Sequence, residues 1–292
     1  MRKLAALLCL CMLFAGSALG EGHVTLAPLL GGEIVRVYES RTLDFSVERF
    51  SHDGARCYMT RIWMQDEAGQ IQKGMSRWGK QLQYPGDMAK RLKPLPMVAI
   101  NGSGFISPVY PDIPENYPGK NRDYFYTSWG SLVVTGGEVL RNLEGVPFYG
   151  VTLEEDGLHM YAGADNEEVL TKNPIHTWSF YDGCVLVDGD TSPVDETWKF
   201  AQERNLRTIL GKTEDGNVFI LTVTEKTNKG LSLIACADFL LEQVRPLWAF
   251  NLDGGPSSTL LIRPQPGKVM KTVSGNGVRT MDILGFCEGE EE

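Results

Sequence analysis

The chain has 292 residues, with 28 basic and 37 acidic side chains and a formal net charge of −9 at pH 7. An acidic chain without a basic tract is poorly suited to nucleic acid or to an anionic membrane surface, which excludes those two classes of partner. Its length is sufficient to bury a sizeable core as one large domain, with two small domains as the alternative.

Residues 1–20 have the pattern of a secretory signal peptide. Arg2 and Lys3 precede the apolar run Leu4–Ala15, and small residues follow as far as Gly20. Cleavage near residue 20 predicts a secreted or cell-envelope protein. The net charge then falls from −9 to about −11, because two basic residues and no acidic ones are lost. An uncleaved N-terminal anchor is the alternative, and no later apolar segment is long enough to span a membrane.

Beyond the signal peptide, one continuous domain is expected, followed by an acidic tail. Residues 21–95 are predicted to supply N-terminal strands and a helix of the same domain as residues 96–287, with the tail at 288–292. A passage from helix to strand is expected between Asp87 and Ile100, although two prolines interrupt it.

Short β-type segments separated by glycine-containing turns dominate the middle of the chain. Such pairs are typical of β-hairpins and predict substantial antiparallel sheet. The predicted hairpins pair Ser131–Thr135 with Glu138–Arg141, Tyr149–Leu153 with Leu158–Tyr161, and Thr208–Lys212 with Val218–Thr224.

A strand, a helix and a second strand are predicted at Val218–Thr224, Leu231–Val244 and Leu247–Leu252. A connection of this kind usually joins two parallel strands of one sheet. The predicted fold class is therefore α+β (mixed α/β), a single domain with mixed parallel and antiparallel sheets and a few packed helices. A fold built of sheets alone is the alternative.

Two apolar strands end abruptly in a polar side chain followed by glycine. Met97–Ile100 leads into Asn101-Gly102-Ser103, and Leu247–Leu252 leads into Asp253-Gly254-Gly255. Glycine permits a sharp turn and the close approach of a ligand. Ligands of open α/β sheets usually bind where strands end, so these two loops are candidate site segments.

The loop after Asp253 has two interpretations from the sequence alone. It is either a structural turn in which Asp253 caps its own backbone, or a ligand-binding loop. The hydroxyls of Ser257, Ser258 and Thr259 suit capping or the binding of a polyhydroxylated or phosphorylated ligand. Arg207 opens an otherwise apolar strand and needs an anion, which is either a structural carboxylate or a substrate.

Several common sites are absent from the sequence. It has no G-x-S-x-G nucleophile elbow, no phosphate-binding P-loop and no pair of histidines with the spacing of helical metal ligands. The cysteines beyond the signal peptide allow three disulfide pairings among which the sequence does not choose, and they are expected to be structural. These are Cys57, Cys184, Cys236 and Cys287.

Three motifs carry a resemblance to a known family. They are the segment from Asn101 to Phe105, the segment from Arg207 to Gly211, and Asn251-Leu252-Asp253-Gly254-Gly255 with the hydroxyls that follow. In this order they resemble the phosphodiester glycosidase domain family, and the similarity extends from about Pro96 to Phe286. The family includes an N-acetylglucosamine-1-phosphodiester glycosidase and exported bacterial proteins associated with exopolysaccharide. Ser103, Ile106 and Pro256 depart from its usual pattern.

The resemblance implies an exported hydrolase that cleaves the glycosidic bond of a sugar-1-phosphodiester, such as an N-acetylglucosamine phosphodiester or an envelope phosphoglycan. Asp253 is then the expected catalytic carboxylate, Arg207 the phosphate ligand and Asn101 a further catalytic-site residue. The expected substrate-binding residues are Gly102, Ser103, Asn251, Gly254, Gly255, Ser257, Ser258 and Thr259.

Several alternatives stay open at this stage. A second carboxylate is Asp188, Asp282 or absent, and without it retention or inversion is not predicted. A non-catalytic protein that binds glycan or phosphoglycan is the rival function, and a glycosidase for neutral sugars is a third. No cofactor or metal is required by the sequence, although a divalent cation near Asp253 is compatible with it. The oligomeric state is not predicted.

Overall fold

The computed structural model describes residues 28–77, 81–106, 127–128, 130–225, 229–275 and 277–290. The predicted signal peptide lies outside the described residues. Among the described residues, no helix is long and apolar enough to span a membrane.

The described chain is built largely from β-strands. The strands are β1 (Glu33–Tyr38), β2 (Leu43–His52), β3 (Ala55–Met64), β4 (Ile71–Met75), β5 (Val98–Asn101), β6 (Phe105–Ile106), β7 (Thr127–Ser128), β8 (Leu132–Thr135), β9 (Glu138–Asn142), β10 (Phe148–Glu154), β11 (Gly157–Ala164), β12 (His176–Ser179), β13 (Val185–Asp188), β14 (Arg207–Lys212), β15 (Val218–Thr224), β16 (Trp248–Asn251), β17 (Thr259–Ile262), β18 (Lys271–Gly275) and β19 (Asp282–Phe286). The helices are α1 (Glu67–Gln70), α2 (Pro85–Ala89), α3 (Asn166–Leu170), α4 (Lys199–Gln202) and α5 (Leu233–Gln243).

These strands form three large sheets and one small one. The seven-stranded sheet has the order β1-β2-β3-β15-β14-β16-β13. Two five-stranded sheets have the orders β11-β10-β12-β8-β9 and β18-β17-β5-β19-β4, and β6 pairs with β7. Every strand pairing among the described residues is antiparallel.

The predicted mixed α+β class is therefore wrong. The strand–helix–strand segment exists as β15, α5 and β16, but β14 lies between the two strands and pairs antiparallel with each of them. The connection through α5 thus passes over one strand, and no parallel ladder forms. The alternative of a fold built of sheets is closer, because the helices are few and short.

The predictions of individual hairpins and of one helix are confirmed, although the predicted fold class is not. The three predicted hairpins are confirmed as β8–β9, β10–β11 and β14–β15. The predicted helix at Leu231–Val244 is confirmed as α5, which begins after Ser232 because the serine hydroxyl accepts a hydrogen bond from the Ala235 N–H at 3.0 Å.

The main core lies between the three large sheets. Phe45, Ile62 and Phe250 from the first sheet pack with Val151 from the second and Leu284 from the third. A second cluster fills the space between the other face of the seven-stranded sheet and α5. Burying one such side chain contributes roughly 1.5–3 kcal/mol, so this packing fixes the strand ends that carry the site. The four cysteines Cys57, Cys184, Cys236 and Cys287 are free and buried.

Candidate active site

Strand β5 ends at Asn101, whose buried side chain ties three segments together. Its Nδ2 donates to the Asp253 carbonyl at 2.6 Å. Its Oδ1 accepts from the Thr208 hydroxyl at 2.8 Å and from the Thr259 N–H at 2.9 Å. The Asp253 N–H also donates to the Gly102 carbonyl at 3.0 Å. The two predicted loops are therefore in direct contact.

Asp253 is a buried carboxylate with few partners. The residue is 9% exposed, and its Oδ1 accepts from the Gly254 N–H at 3.0 Å. Its Oδ2 is buried and has no hydrogen-bond partner among the described residues. Burial raises the pKa of Asp253 from 3.8 to about 7, with a further contribution from the charge on Asp282, against the opposing effect of Ser257 and the Gly254 N–H. A carboxyl of this pKa can act as a base or nucleophile near neutral pH.

A second buried carboxylate, Asp282, begins β19 close to the first. It accepts from the Ser103 N–H at 2.6 Å and from the Ser103 hydroxyl at 2.8 Å. Lys73 in β4 pairs with it at 3.1 Å, with both side chains about 1% exposed. Burial lowers the pKa of Lys73, and the charge on Asp282 opposes that shift. Asp282 is therefore neutralised by the fold itself.

Gly102 lies between these two aspartates, and no other residue type fits there. A Cβ atom at this position would lie 2.1 Å from Asp282 Oδ1 and 2.7 Å from a ring carbon of Trp178. The Gly102 carbonyl meanwhile holds the Asp253 N–H. Glycine thus allows both carboxylates to approach the same stretch of backbone.

The loop after Asp253 turns at once into a short 3₁₀ segment, Gly255–Ser257. Gly255 has a φ of +57°, which favours glycine. The Ser258 hydroxyl and the Asn251 Oδ1 are buried without a partner among the described residues. Thr259 donates its hydroxyl to the Ser257 carbonyl at 3.0 Å. Polar atoms without a hydrogen-bond partner therefore lie close to Asp253 in sequence, as expected of a loop that binds a ligand.

Arg207 is 1% exposed and begins β14 beside this loop. Its Nε donates to the Leu231 carbonyl at 3.2 Å, and its Nη2 donates to the carbonyls of Phe200 at 3.3 Å and Glu203 at 2.7 Å. No carboxylate pairs with it, and Nη1 has no acceptor, within the part of the chain that the structure describes. Its Cδ would lie 3.9 Å from a Cβ on Gly254. Its buried charge is therefore not neutralised by a described acid.

The family model for phosphodiester glycosidases matches residues 96–286, a span that includes Asn101, Arg207, Asp253 and Asp282. The chain belongs to the phosphodiester glycosidase family. Among curated proteins, none matches this sequence.

Two solved structures have the same fold as this family member. The catalytic domain of zebrafish N-acetylglucosamine-1-phosphodiester alpha-N-acetylglucosaminidase, auto-inhibited by pro-peptide, is 16% identical, with a TM-score of 0.63 over 88% of this chain and 87% of that chain. A hypothetical protein from Synechocystis is 14% identical, with a TM-score of 0.54 over 86% of this chain and 63% of that chain. At these identities the similarity concerns the fold alone.

Of the two named candidates for a second carboxylate, the structure brings only Asp282 to the site. Asp188 is exposed and pairs with Trp248, at the opposite end of β16 from Asn251. Lys73 and Thr208 both hold site residues in place, and neither was predicted from the sequence. Lys73 is a lone charged residue in the short strand Ile71–Met75. A lone charged residue in a strand is the pattern that singled out Arg207, and it could have singled out Lys73 as well.

One cluster among the described residues has the composition of a metal site, and it lies away from Asp253. Glu154, Asp156 and His159 on the β10–β11 hairpin each place one ligand atom within 4.8 Å of the others. Glu154 already accepts hydrogen bonds from the hydroxyls of Thr152 at 2.6 Å and Tyr161 at 2.8 Å. A divalent cation near Asp253 stays a prediction.

Proposed function

We propose that the protein is an exported hydrolase that cleaves the glycosidic bond of a sugar-1-phosphodiester at the Asp253 site. The observation that carries this proposal is the Asp253 carboxylate itself, whose buried Oδ2 has no partner among the described residues and whose pKa is near 7. Family membership supports the reaction class, since family members act on phosphodiesters as glycosidases. The signal-peptide pattern of residues 1–20 supports export to the envelope or medium.

In the proposed mechanism Asp253 reacts at the anomeric carbon. As the glycosidic C–O bond breaks, the phosphate leaves with the bonding electrons and the sugar takes on oxocarbenium character. The Asp253 carboxylate then adds to the anomeric carbon, and a water molecule later displaces it and releases the sugar. Alternatively, the carboxylate removes a proton from a water molecule that adds to the anomeric carbon directly. A phosphomonoester is a good leaving group, so it needs little protonation.

Arg207 and the loop after Asp253 are proposed to hold the phosphate and sugar. Nη1 of Arg207 is the guanidinium donor left for an anion after the other donors bind backbone carbonyls. The Ser257 and Ser258 hydroxyls and the loop N–H groups are suited to phosphate oxygens or sugar hydroxyls. Asn101 and Asp282 are assigned a positioning role, because protein groups occupy their hydrogen-bonding atoms.

The proposal is tested by sugar release from a panel of sugar-1-phosphodiesters, beginning with an α-N-acetylglucosaminyl phosphodiester. Asp253→Asn should lower kcat by 10²–10⁴-fold, because removal of a general base or nucleophile has an effect of this size. Asp188→Asn is the matched control, since this exposed carboxylate lies at the other end of the sheet. Turnover within about threefold of wild type in Asp253→Asn would contradict the assignment. Binding of the panel without turnover by folded wild-type protein would favour a phosphoglycan-binding role.

Arg207→Lys tests whether the phosphate is recognised. A hydrogen bond to a charged group contributes about 1.5–3 kcal/mol of binding free energy, so its loss should raise KM for the phosphodiester about tenfold or more. The control substrate is a neutral aryl glycoside of the same sugar, for which KM should change little. An equal rise in KM for both substrates would assign Arg207 a structural role only.

A further inference from the structure

A cavity of about 570 Å³ lies along β17, and Thr259, the first residue of that strand, lines it. Tyr84, Leu95, Val269 and Met270 give it an apolar surface. Tyr84, Leu95 and Val269 are all exposed, Val269 to 73%. The surface is therefore able to contact the hydrocarbon part of a ligand.

The charged groups around this cavity are all cationic. Lys90, Lys93, Arg263 and Lys268 line it, and no acidic side chain does so among the described residues. Only Lys90 forms an ion pair with a described residue, at 3.0 Å from Asp87. The whole chain has 37 acidic residues and 28 basic ones. The cavity is thus locally positive in a protein whose net charge is negative. The cavity is complementary to an anion.

Arg263 is a cation of this cavity that lacks a counter-charge among the described residues. It is 6% exposed, and its Nε donates to the Pro96 carbonyl at 2.9 Å while its Nη1 donates to the Lys268 carbonyl. Nη2 has no acceptor and no carboxylate pairs with the guanidinium within the described ranges. Nη2 is not among the buried polar atoms that lack a partner, so it is accessible and can donate to an anion bound at the cavity wall.

The cavity is joined to the Asp253 loop through one strand. Thr259 lines the cavity and begins β17, whose chain continues to Arg263. The Thr259 N–H is held by Asn101, which also holds the Asp253 carbonyl. A substrate that extends from the reaction centre along β17 would therefore contact Thr259 first and the cationic side chains after it.

We propose that this cavity is a subsite for a second phosphate of the substrate, on the leaving-group side of the bond that is cleaved. The inference rests on the proposed function and names its substrate class as a phosphodiester-linked glycan or polyol chain. The hydrocarbon backbone of this substrate would contact the side chains of Val269 and Tyr84. The next phosphate along the substrate would pair with Arg263, Lys93 and Lys268.

The test compares three substrates that share one sugar-1-phosphate. The leaving group is glycerol, a three-unit glycerol phosphate chain, or a neutral polyglycerol chain of the same length. For wild type at low ionic strength, kcat/KM should be at least about tenfold higher for the phosphate chain than for the neutral chain, corresponding to about 1.4 kcal/mol. The double variant Lys93→Gln/Lys268→Gln should lose most of this preference.

The matched control is Lys172→Gln/Lys199→Gln, which removes the same charge at exposed positions outside the cavity. It should keep the full preference. An equal rate for charged and neutral chains in wild type, or an unchanged preference in Lys93→Gln/Lys268→Gln, would overturn the subsite. Turnover of the glycerol substrate reports on the proposed function separately.

If no substrate is turned over, calorimetry with 1,3-propanediol bisphosphate provides the second readout. Wild type should bind this probe, and Lys93→Gln/Lys268→Gln should bind it at least about tenfold more weakly, the equivalent of one lost charge-assisted contact of about 1.4 kcal/mol. Failure of the wild-type protein to bind the probe would overturn the subsite independently of catalysis.

Discussion

Asp253 and Asp282 are both buried near the same stretch of backbone, yet their surroundings are opposite. Asp282 is met by a lysine, a hydroxyl and a backbone N–H. Asp253 accepts a hydrogen bond from one backbone N–H and interacts with the Ser257 hydroxyl, and its Oδ2 has no partner among the described residues. The fold therefore satisfies one carboxylate and leaves the other unsatisfied.

The difference separates a carboxylate that holds the structure from one that is available for chemistry. A buried carboxylate with full pairing is fixed in charge and position, which suits a residue that orients the loop of Gly102 and Ser103. A buried carboxylate without pairing is costly in its charged form, and the fold tolerates that cost where reactivity benefits. The two predictions that follow depend on this distinction.

The larger expected effect concerns the paired aspartate. Lys73→Met should lower the free energy of unfolding by about 3–5 kcal/mol, because it leaves the Asp282 charge buried without its counter-ion. Urea unfolding monitored by tryptophan fluorescence would measure the change. Lys73→Met/Asp282→Asn should recover part of the loss, since no uncompensated charge then remains. A loss below about 1 kcal/mol in the single variant would show that the ion pair does not support the site.

The smaller effect concerns the unpaired aspartate, and it has the opposite sign. The pKa of Asp253 in the folded protein, about 7, lies above its ordinary value of 3.8. The folded state therefore holds the proton more tightly, and stability is lost as pH rises from about 4 to 7. Asp253→Asn lacks this loss and should be more stable than wild type at pH 8, by up to about 4 kcal/mol. Thermal melts at pH 4.5 and pH 8 would measure it, and an equal difference at both values would contradict the raised pKa.

The sequence located the loops of the site but not the arrangement of the sheets. Apolar strands that end in Asn101 and Asp253 are visible as local patterns, and the family motifs share their order. β15 and β16 lie in one sheet and run parallel to each other, as the strand–helix–strand pattern predicted, but β14 lies between them and pairs antiparallel with both. The place of β14 is a long-range choice that no local pattern encodes, so the predicted mixture of parallel and antiparallel pairings was wrong.

The difference between the two aspartates was also beyond the sequence. The sequence offers Asp282 only as one of two candidates for a second carboxylate, because its partner Lys73 is about 200 residues away in sequence although their strands are neighbours in the sheet. Asp253 could be a structural cap or a reactive group from its local sequence. Burial and the number of donors decide between these interpretations, and both depend on the packing of the three sheets.

The most direct test of the account is the pH dependence of kcat/KM for a sugar-1-phosphodiester between pH 5 and 8.5. The phosphodiester stays ionised throughout this range, so the titration reports on the protein. Asp253 must be ionised to act, and its pKa is raised to about 7, so kcat/KM should rise tenfold per pH unit at acid pH and level off above about 7. Asp253→Asn should abolish that rise. A wild-type rate that is constant from pH 5 to 8, or a variant that keeps the same profile, would contradict the central role of Asp253.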